Sequence, residues 1–139
     1  MEIKSFDCLP DDAVFVRTTV FIHEQGFENE LDDKDTICRH IVIYCEDKPC
    51  ATCRVFKDES GRYKLGRVAV LKEHRSKGLG KAVVEKAEEY VRECGADALH
   101  LNSQLPVIGF YEKLGYETVG GIFLEEEVEH IAMVKRFNI

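Results

Sequence analysis

Arg75-Ser-Lys-Gly78-Leu-Gly80-Lys-Ala82 sets two glycines among three cationic side chains, directly after the apolar run Arg67-Val-Ala-Val-Leu71. Glycines let backbone N–H groups approach a ligand without side-chain obstruction. A helix beginning at Leu79 would add the partial positive charge of its N-terminus. The chemistry is therefore capture of a phosphate or pyrophosphate. Two nucleotide motifs fail here. A Walker A loop needs glycine where Arg75 stands and Ser or Thr where Ala82 stands. A dinucleotide fingerprint started at Gly78 and Gly80 would need a small third residue at Val83, where its helix must pack closely.

Other reactive residues are less pointed. His23-Glu24-Gln25 is no zinc helix, because the second histidine of HExxH would stand at Phe27. His40, His100 and His130 are scattered, and structural or surface roles suit them. The six cysteines, at 8, 38, 45, 50, 53 and 94, include Cys50-Ala-Thr-Cys53. This pair falls inside an apparent strand, where residues three apart face opposite ways, so the two sulfurs are not expected to share a metal. Reduced, partly buried thiols and no metal site are the expectation.

The elements that must position these residues follow from periodicity. A short strand near Ile3 to Phe6 precedes a helix that starts at Pro10-Asp11-Asp12 and runs to about Ile22, despite the β-branched Val14, Val16, Thr18, Thr19 and Val20. Gly26 to Asp35 reads as a polar loop. His40–Cys45 and Cys50–Phe56 form a hairpin around Glu46-Asp-Lys-Pro49, and 64–71 completes a three-stranded meander. From Leu79 to Cys94 apolar residues keep helical spacing, and Gly95 stops the helix. A strand at 98–103, a helix from Pro106 to about Leu114 and two closing strands, 117–120 and 130–137, finish the chain. The order β-α-β-β-β-α-β-α-β-β puts one parallel pair into an otherwise antiparallel sheet.

The 139 residues have the length of one domain, 1–139, and 45% hydrophobic with 32% charged residues is a globular balance. A net charge of −7 argues against nucleic acid as a partner. No apolar run approaches the roughly 20 residues that span a bilayer, and no basic-then-apolar leader opens the chain, so no membrane partner and a cytoplasmic location are expected. Charge is uneven: Lys72, His74, Arg75, Lys77 and Lys81 cluster, whereas Glu24, Glu28, Glu30, Asp32, Asp33 and Asp35 crowd an earlier stretch. The first group suits an anionic ligand. The second would favour a cationic one, or is simply a solvated acidic face.

Arg75, Gly78 and Gly80 also fill the pattern [RQ]-x-x-G-x-[GA], and Phe110-Tyr111-Glu-Lys-Leu-Gly115-Tyr116 follows about thirty residues later. Together they resemble the two signatures of the GNAT superfamily of acyl-CoA N-acyltransferases. Arg17-x-x-Val20-Phe21-Ile-x-Glu24-Gln25, Glu30-x-Asp32 and His40 are similar to its short bacterial ElaA-like branch, so the resemblance covers essentially the whole chain.

The resemblance implies an α/β (α+β) fold: a mixed, mostly antiparallel sheet of six to seven strands, about four flanking helices, and a splayed parallel pair holding the coenzyme A arm. It implies acetyl-CoA as co-substrate and transfer to a primary amine of a small molecule or peptide by direct attack in a ternary complex. A catalytically silent acyl-CoA-binding module is the alternative, and the protein would be a monomer or homodimer. Arg75, Ser76, Lys77, Gly78, Leu79, Gly80 and Lys81 would hold the pyrophosphate, with Val68, Ala69, Val70, Asn102, Phe110, Tyr111 and Lys113 along the rest of the donor. A strand amide near Val70 would stabilise the oxyanion. Tyr111 would be the general acid, since a phenol is protonated at neutral pH, although an aromatic in a helix can also simply pack. Glu24 would take the ammonium proton through water, or stabilise a local turn. Arg17, Arg54 and Arg67 would line the acceptor site, or form ordinary salt bridges.

Overall fold

A computed structural model describes residues 1–28 and 30–137. Seven strands build one sheet among the described residues: β1 (Glu2–Phe6), β2 (Arg39–Cys45), β3 (Lys48–Lys57), β4 (Tyr63–Val70), β5 (Ala98–Gln104), β6 (Glu117–Glu125) and β7 (Val128–Arg136). Their order is β1-β2-β3-β4-β5-β7-β6. Neighbours run antiparallel except β4 and β5, which are parallel. The crossover between those two contains α2 (Leu79–Glu93), and the parallel pair requires such a connection. The mixed sheet agrees with the sequence reading. The described α-helices are α1 (Asp11–Arg17), α2 and α3 (Ile108–Lys113), in keeping with the expectation of about four.

Helix α1 stops short of the expected Ile22 as an α-helix but does not unwind. Thr18–Glu24 continues it as a π-helix, and Gln25 N–H donates to the Val20 carbonyl, five residues back, at 2.9 Å. The widening falls on the β-branched run Thr18-Thr19-Val20, where side chains crowd the preceding turn. The loop from Gly26 also gains structure: Asp33–Thr36 forms a 3-10 turn, closed by a capping box between Asp32 and Asp35.

The main core lies between the sheet and α2, where Val83, Val84, Ala87 and Val91 pack against Ile41, Ile43, Cys53, Val55, Leu65, Leu99 and Met133. Those four α2 residues recur at 3.6-residue spacing, which is why this helix was legible from sequence. A smaller cluster of Val16, Val20, Ala69 and Leu71 seats α1 and its π-helical extension on the sheet. Strand β6 is longer than its expected 117–120 because it pairs with β7 on both sides of a register irregularity, Glu117 with Val134 and Glu125 with Val128. No described helix is long and apolar enough to cross a membrane.

Candidate active site

Two features of β4 open the sheet. Opposite β3, the register passes from Thr52–Ala69 to Arg54–Gly66, so Arg67 and Val68 share the space of one partner residue. Arg67 takes φ +51°, the left-handed conformation of a bulge. Opposite β5, pairing is confined to Lys64 with His100 and Leu65 with Leu101. Beyond these residues the parallel strands diverge. Backbone polar groups on the facing edges then lack strand partners and are available to a ligand.

The divergence opens into a cavity of about 470 Å³, lined among others by Gly66, Arg67 and Val68 from β4, Asn102, Ser103 and Gln104 from β5, and Tyr111 from α3. Phe21 from the π-helical turn, with Gln25 and Phe27 just after it, also line the cavity. Gln104 Nε2 donates to Gln25 Oε1 at 3.2 Å, spanning the mouth. Tyr111 is 8% exposed, its ring edge-to-face with Phe110 and Tyr116. Burial pushes its phenol pKa upward, so it enters neutral pH as a proton donor.

The glycine loop lies beyond the end of β4. Gly78 occupies φ +80° and caps α2, and a Cβ there would meet nothing within 4 Å, so conformation alone demands glycine. Gly80 is different: a Cβ would lie 3.1 Å from Phe110 Cζ. That contact joins the two sequence signatures in space. The first turn of α2 has neither a side-chain cap nor an acidic residue, which leaves its N–H groups and positive dipole end free for an anion. The loop therefore fits a pyrophosphate.

Arg75 folds away from the loop. It donates from Nε to the Val70 carbonyl at 3.0 Å and binds Glu24 through both terminal nitrogens at 2.6 Å. Those hydrogen bonds lower the Glu24 pKa, and Glu24 is absent from the cavity lining. A carboxylate held this way is a poor proton acceptor, which argues against Glu24 as the base.

Arg17, Arg54 and Arg67 behave differently from free acceptor-site cations. Arg17, 1% exposed, donates from Nε to Glu30 and from Nη1 and Nη2 to Asp35 at 2.9 and 3.0 Å. Arg54 grips Asp32 through two bonds of 2.6 and 2.9 Å and reaches Asp35 at 3.0 Å. Arg67 Nε donates to the Glu30 carbonyl at 3.0 Å. The acidic segment, read from sequence as a lure for a cation or a solvated face, is instead pinned at Glu30, Asp32 and Asp35 by Arg54 and Arg67 from the sheet and Arg17 from α1. Arg54 and Arg67 also line the cavity, whereas Arg17 lies behind it. The guanidinium hydrogen bonds from Arg54 lead the forces that bring Asp32 down to a pKa of about 2. Two buried atoms of the cluster, Glu30 Oε1 and Arg54 Nε, have no hydrogen-bond partner among the described residues, and both residues face the cavity.

Among the remaining expected donor contacts, Val68 and Asn102 line the cavity, Phe110 bridges to the loop, and Lys113 stands exposed. Sequence reasoning passed over His130, which lines the cavity. Its Nδ1 lies 2.8 Å from the Val128 carbonyl. A carbonyl can only accept, so Nδ1 carries the hydrogen and Nε2 keeps a lone pair in the neutral ring. No local motif signals this residue, because β7 reaches the cleft only by inserting between β5 and β6.

Comparison with known proteins agrees with this geometry. A Bacillus subtilis (strain 168) protein assigned as an acetyltransferase is 39% identical over 130 residues, covering 89% of this chain and 87% of that one. Escherichia coli ElaA superposes with a TM-score of 0.87 at 24% identity, covering 97% of this chain and 99% of its own. An aminoglycoside 6'-N-acetyltransferase complexed with coenzyme A shares the fold at 17% identity and a TM-score of 0.74, covering 98% of this chain and 97% of that one. Residues 8–116 match the model of the acetyltransferase (GNAT) family. With that match, the splayed parallel pair and the uncapped glycine loop, the chain belongs to the GNAT family of acetyltransferases, enzymes of acyl transfer.

Proposed function

We propose that the protein moves an acetyl group from acetyl-CoA to a primary amine of a small molecule or peptide in a ternary complex. The observation that carries this reading is the divergence of β4 and β5 after Leu65 and Leu101, which opens a cavity onto the Tyr111 side chain. The loop from Arg75 to Lys81 takes the donor pyrophosphate on its amides, with Lys77 and Lys81 adding charge. The pantetheine arm lies between Val68–Val70 and Asn102. A β4 amide near Val70 donates to the developing oxyanion. The neutral amine attacks the thioester carbon, the tetrahedral intermediate collapses with cleavage of the C–S bond, Tyr111 gives its proton to the leaving thiolate, and the proton shed by the acylated nitrogen restores the phenol.

The ammonium proton must leave before attack. His130 Nε2, with Nδ1 committed to Val128, is the better placed acceptor, and it replaces Glu24 in that role. At the acceptor end, Glu30 Oε1 and Arg54 Nε offer one acceptor and one donor. They suit a substrate that carries an acceptor oxygen close to its amine.

Thiol release from acetyl-CoA, screened over amines, amino sugars and peptides, tests the reaction. Stabilisation by coenzyme A and not by ATP-Mg tests the donor. Tyr111→Phe is expected to lower kcat about 100-fold while leaving coenzyme A binding intact. Donor binding without turnover on any acceptor would indicate a binding module instead.

A further inference from the structure

A second constellation lies outside the cleft. Cys45 closes β2 and Cys50 stands near the start of β3, so the hairpin brings their sulfurs to 3.0 Å. His74 ends the short 3-10 turn Lys72–His74 after β4. Backbone bonds hold this turn against the hairpin: Leu71 N–H donates to the Cys50 carbonyl and His74 N–H to the Leu71 carbonyl, both at 2.9 Å. The two sulfurs and a His74 ring nitrogen all lie within 4.8 Å of one another. Cys50 is buried, Cys45 and His74 half-buried. His74 Nδ1 is itself a buried atom with no hydrogen-bond partner among the described residues.

We propose that Cys45, Cys50 and His74 bind a thiophilic d10 metal ion, Zn²⁺ or Cu⁺. Zinc–sulfur bonds of about 2.3 Å and zinc–nitrogen bonds of about 2.0 Å place tetrahedral ligand atoms roughly 3.5–4 Å apart; the sulfurs, 3.0 Å apart, would separate slightly on binding, within the 4.8 Å that spans the triad. Thiolate and imidazole are the ligand set such ions prefer. Binding releases both thiol protons to solvent, and no electron is transferred. Two thiolates neutralise Zn²⁺, so the nearby Lys77 charge does not oppose it. Water or a solute takes a fourth zinc position; Cu⁺ is satisfied by three ligands.

A rival triad, Asp35, Cys38 and His40, is equally compact and fully buried. It is unsuited to a cation, because both Asp35 oxygens accept from Arg17 or Arg54, two guanidinium groups that would repel an ion. The surroundings, not the spacing, separate the two triads. Because His74 directly precedes Arg75, an ion at the first triad would also tie the entrance of the glycine loop to the β2–β3 hairpin.

The test uses the full chain, reduced, stripped with EDTA and kept under nitrogen. Co²⁺ serves as the optical reporter of thiolate ligation, Zn²⁺ displaces it, and Cu⁺ is delivered from a competing chelator. One equivalent of Zn²⁺ or of Cu⁺ is expected to bind, and the preferred ion identifies the natural class. Cys45→Ser and Cys50→Ser should each abolish the sulfur-to-cobalt band. His74→Ala should weaken binding at least about tenfold, and Cys38→Ser should leave it unchanged. Circular dichroism in EDTA checks each fold, and the half-buried His74 provides a variant that spares the core. The proposal is overturned if neither ion binds, if Cys38→Ser removes the band while Cys45→Ser and Cys50→Ser keep it, or if the reduced chain takes up no ion and forms a Cys45–Cys50 disulfide on exposure to air.

Discussion

At one end of the cleft Arg17 and Arg54 meet Glu30 and Asp35 below the surface, with Asp32 and Arg67 at the rim; at the other, Arg75 meets Glu24 with both side chains more than a third exposed. The buried set fastens a polar segment to the sheet through charge-assisted, mostly bidentate bonds. Loss of Arg17 there leaves the Glu30 carboxylate stranded away from water. The exposed pair is screened by solvent and contributes little to folding. Availability of polar groups follows the reverse pattern. The exposed end presents backbone amides with no side-chain competitor, whereas the buried end has most of its charge paired internally, with Glu30 Oε1 and Arg54 Nε unpartnered among the described residues. Density of charge in a sequence is therefore a poor guide to which charged groups stay unpaired in the fold.

The largest effect should come from Arg17→Met, which strands the buried Glu30 carboxylate and leaves Asp35 with Arg54 as its one cationic partner. A loss of about 3–5 kcal/mol is expected, read as a fall of about 10 °C or more in Tm. A loss below about 1 kcal/mol would erase the contrast between the two ends. Next are the two loop glycines. Gly80→Val drives a branched side chain into Phe110 and should destabilise by about 1–3 kcal/mol, with weaker coenzyme A binding by calorimetry. Gly78→Ala enters open space and should lose only the left-handed preference, about 1–2 kcal/mol.

Acid should weaken both ends, the arginine cluster more, because the exposed Glu24–Arg75 pair is screened by solvent. The Asp32 pKa is lowered from 3.8 to about 2, so its contribution to stability is present above pH 4 and is lost as pH falls through 2. Asp35 shifts the same way, its burial outweighed by Arg17 and Arg54. Urea unfolding should therefore show stability falling between pH 4 and pH 2, and falling less in Asp32→Asn. The smallest effect belongs to Glu24→Gln, with a stability change below about 1 kcal/mol. A larger change would place the exposed pair in the same class as the buried cluster.

Local patterns carried most of the fold. Helix α2, the β2–β3 hairpin and the lone parallel pair were legible because hydrophobic period and turn residues are properties of neighbours in sequence. The glycine loop was legible for the same reason. The arginine cluster was not, since Arg17 meets Asp35 across 18 positions and Arg54 meets Asp32 across 22, and only the closed fold sets those pairings. His130 was hidden by the insertion of β7. The cysteines show the limit most sharply. Sequence spacing drew attention to Cys50 with Cys53, but Cys50 meets Cys45 across the hairpin, while the Cys53 thiol donates to the Val83 carbonyl on α2.

The contact between Gly80 and Phe110 has a consequence for exchange between relatives. Each residue limits the volume the other can occupy, so the loop and the third helix form one heritable unit although thirty positions part them. A chimaera that imports residues 75–82 alone would bring a foreign side chain against a resident phenylalanine. Grafting 75–82 together with 108–113 keeps the fit, and natural drift at either position should wait on its counterpart.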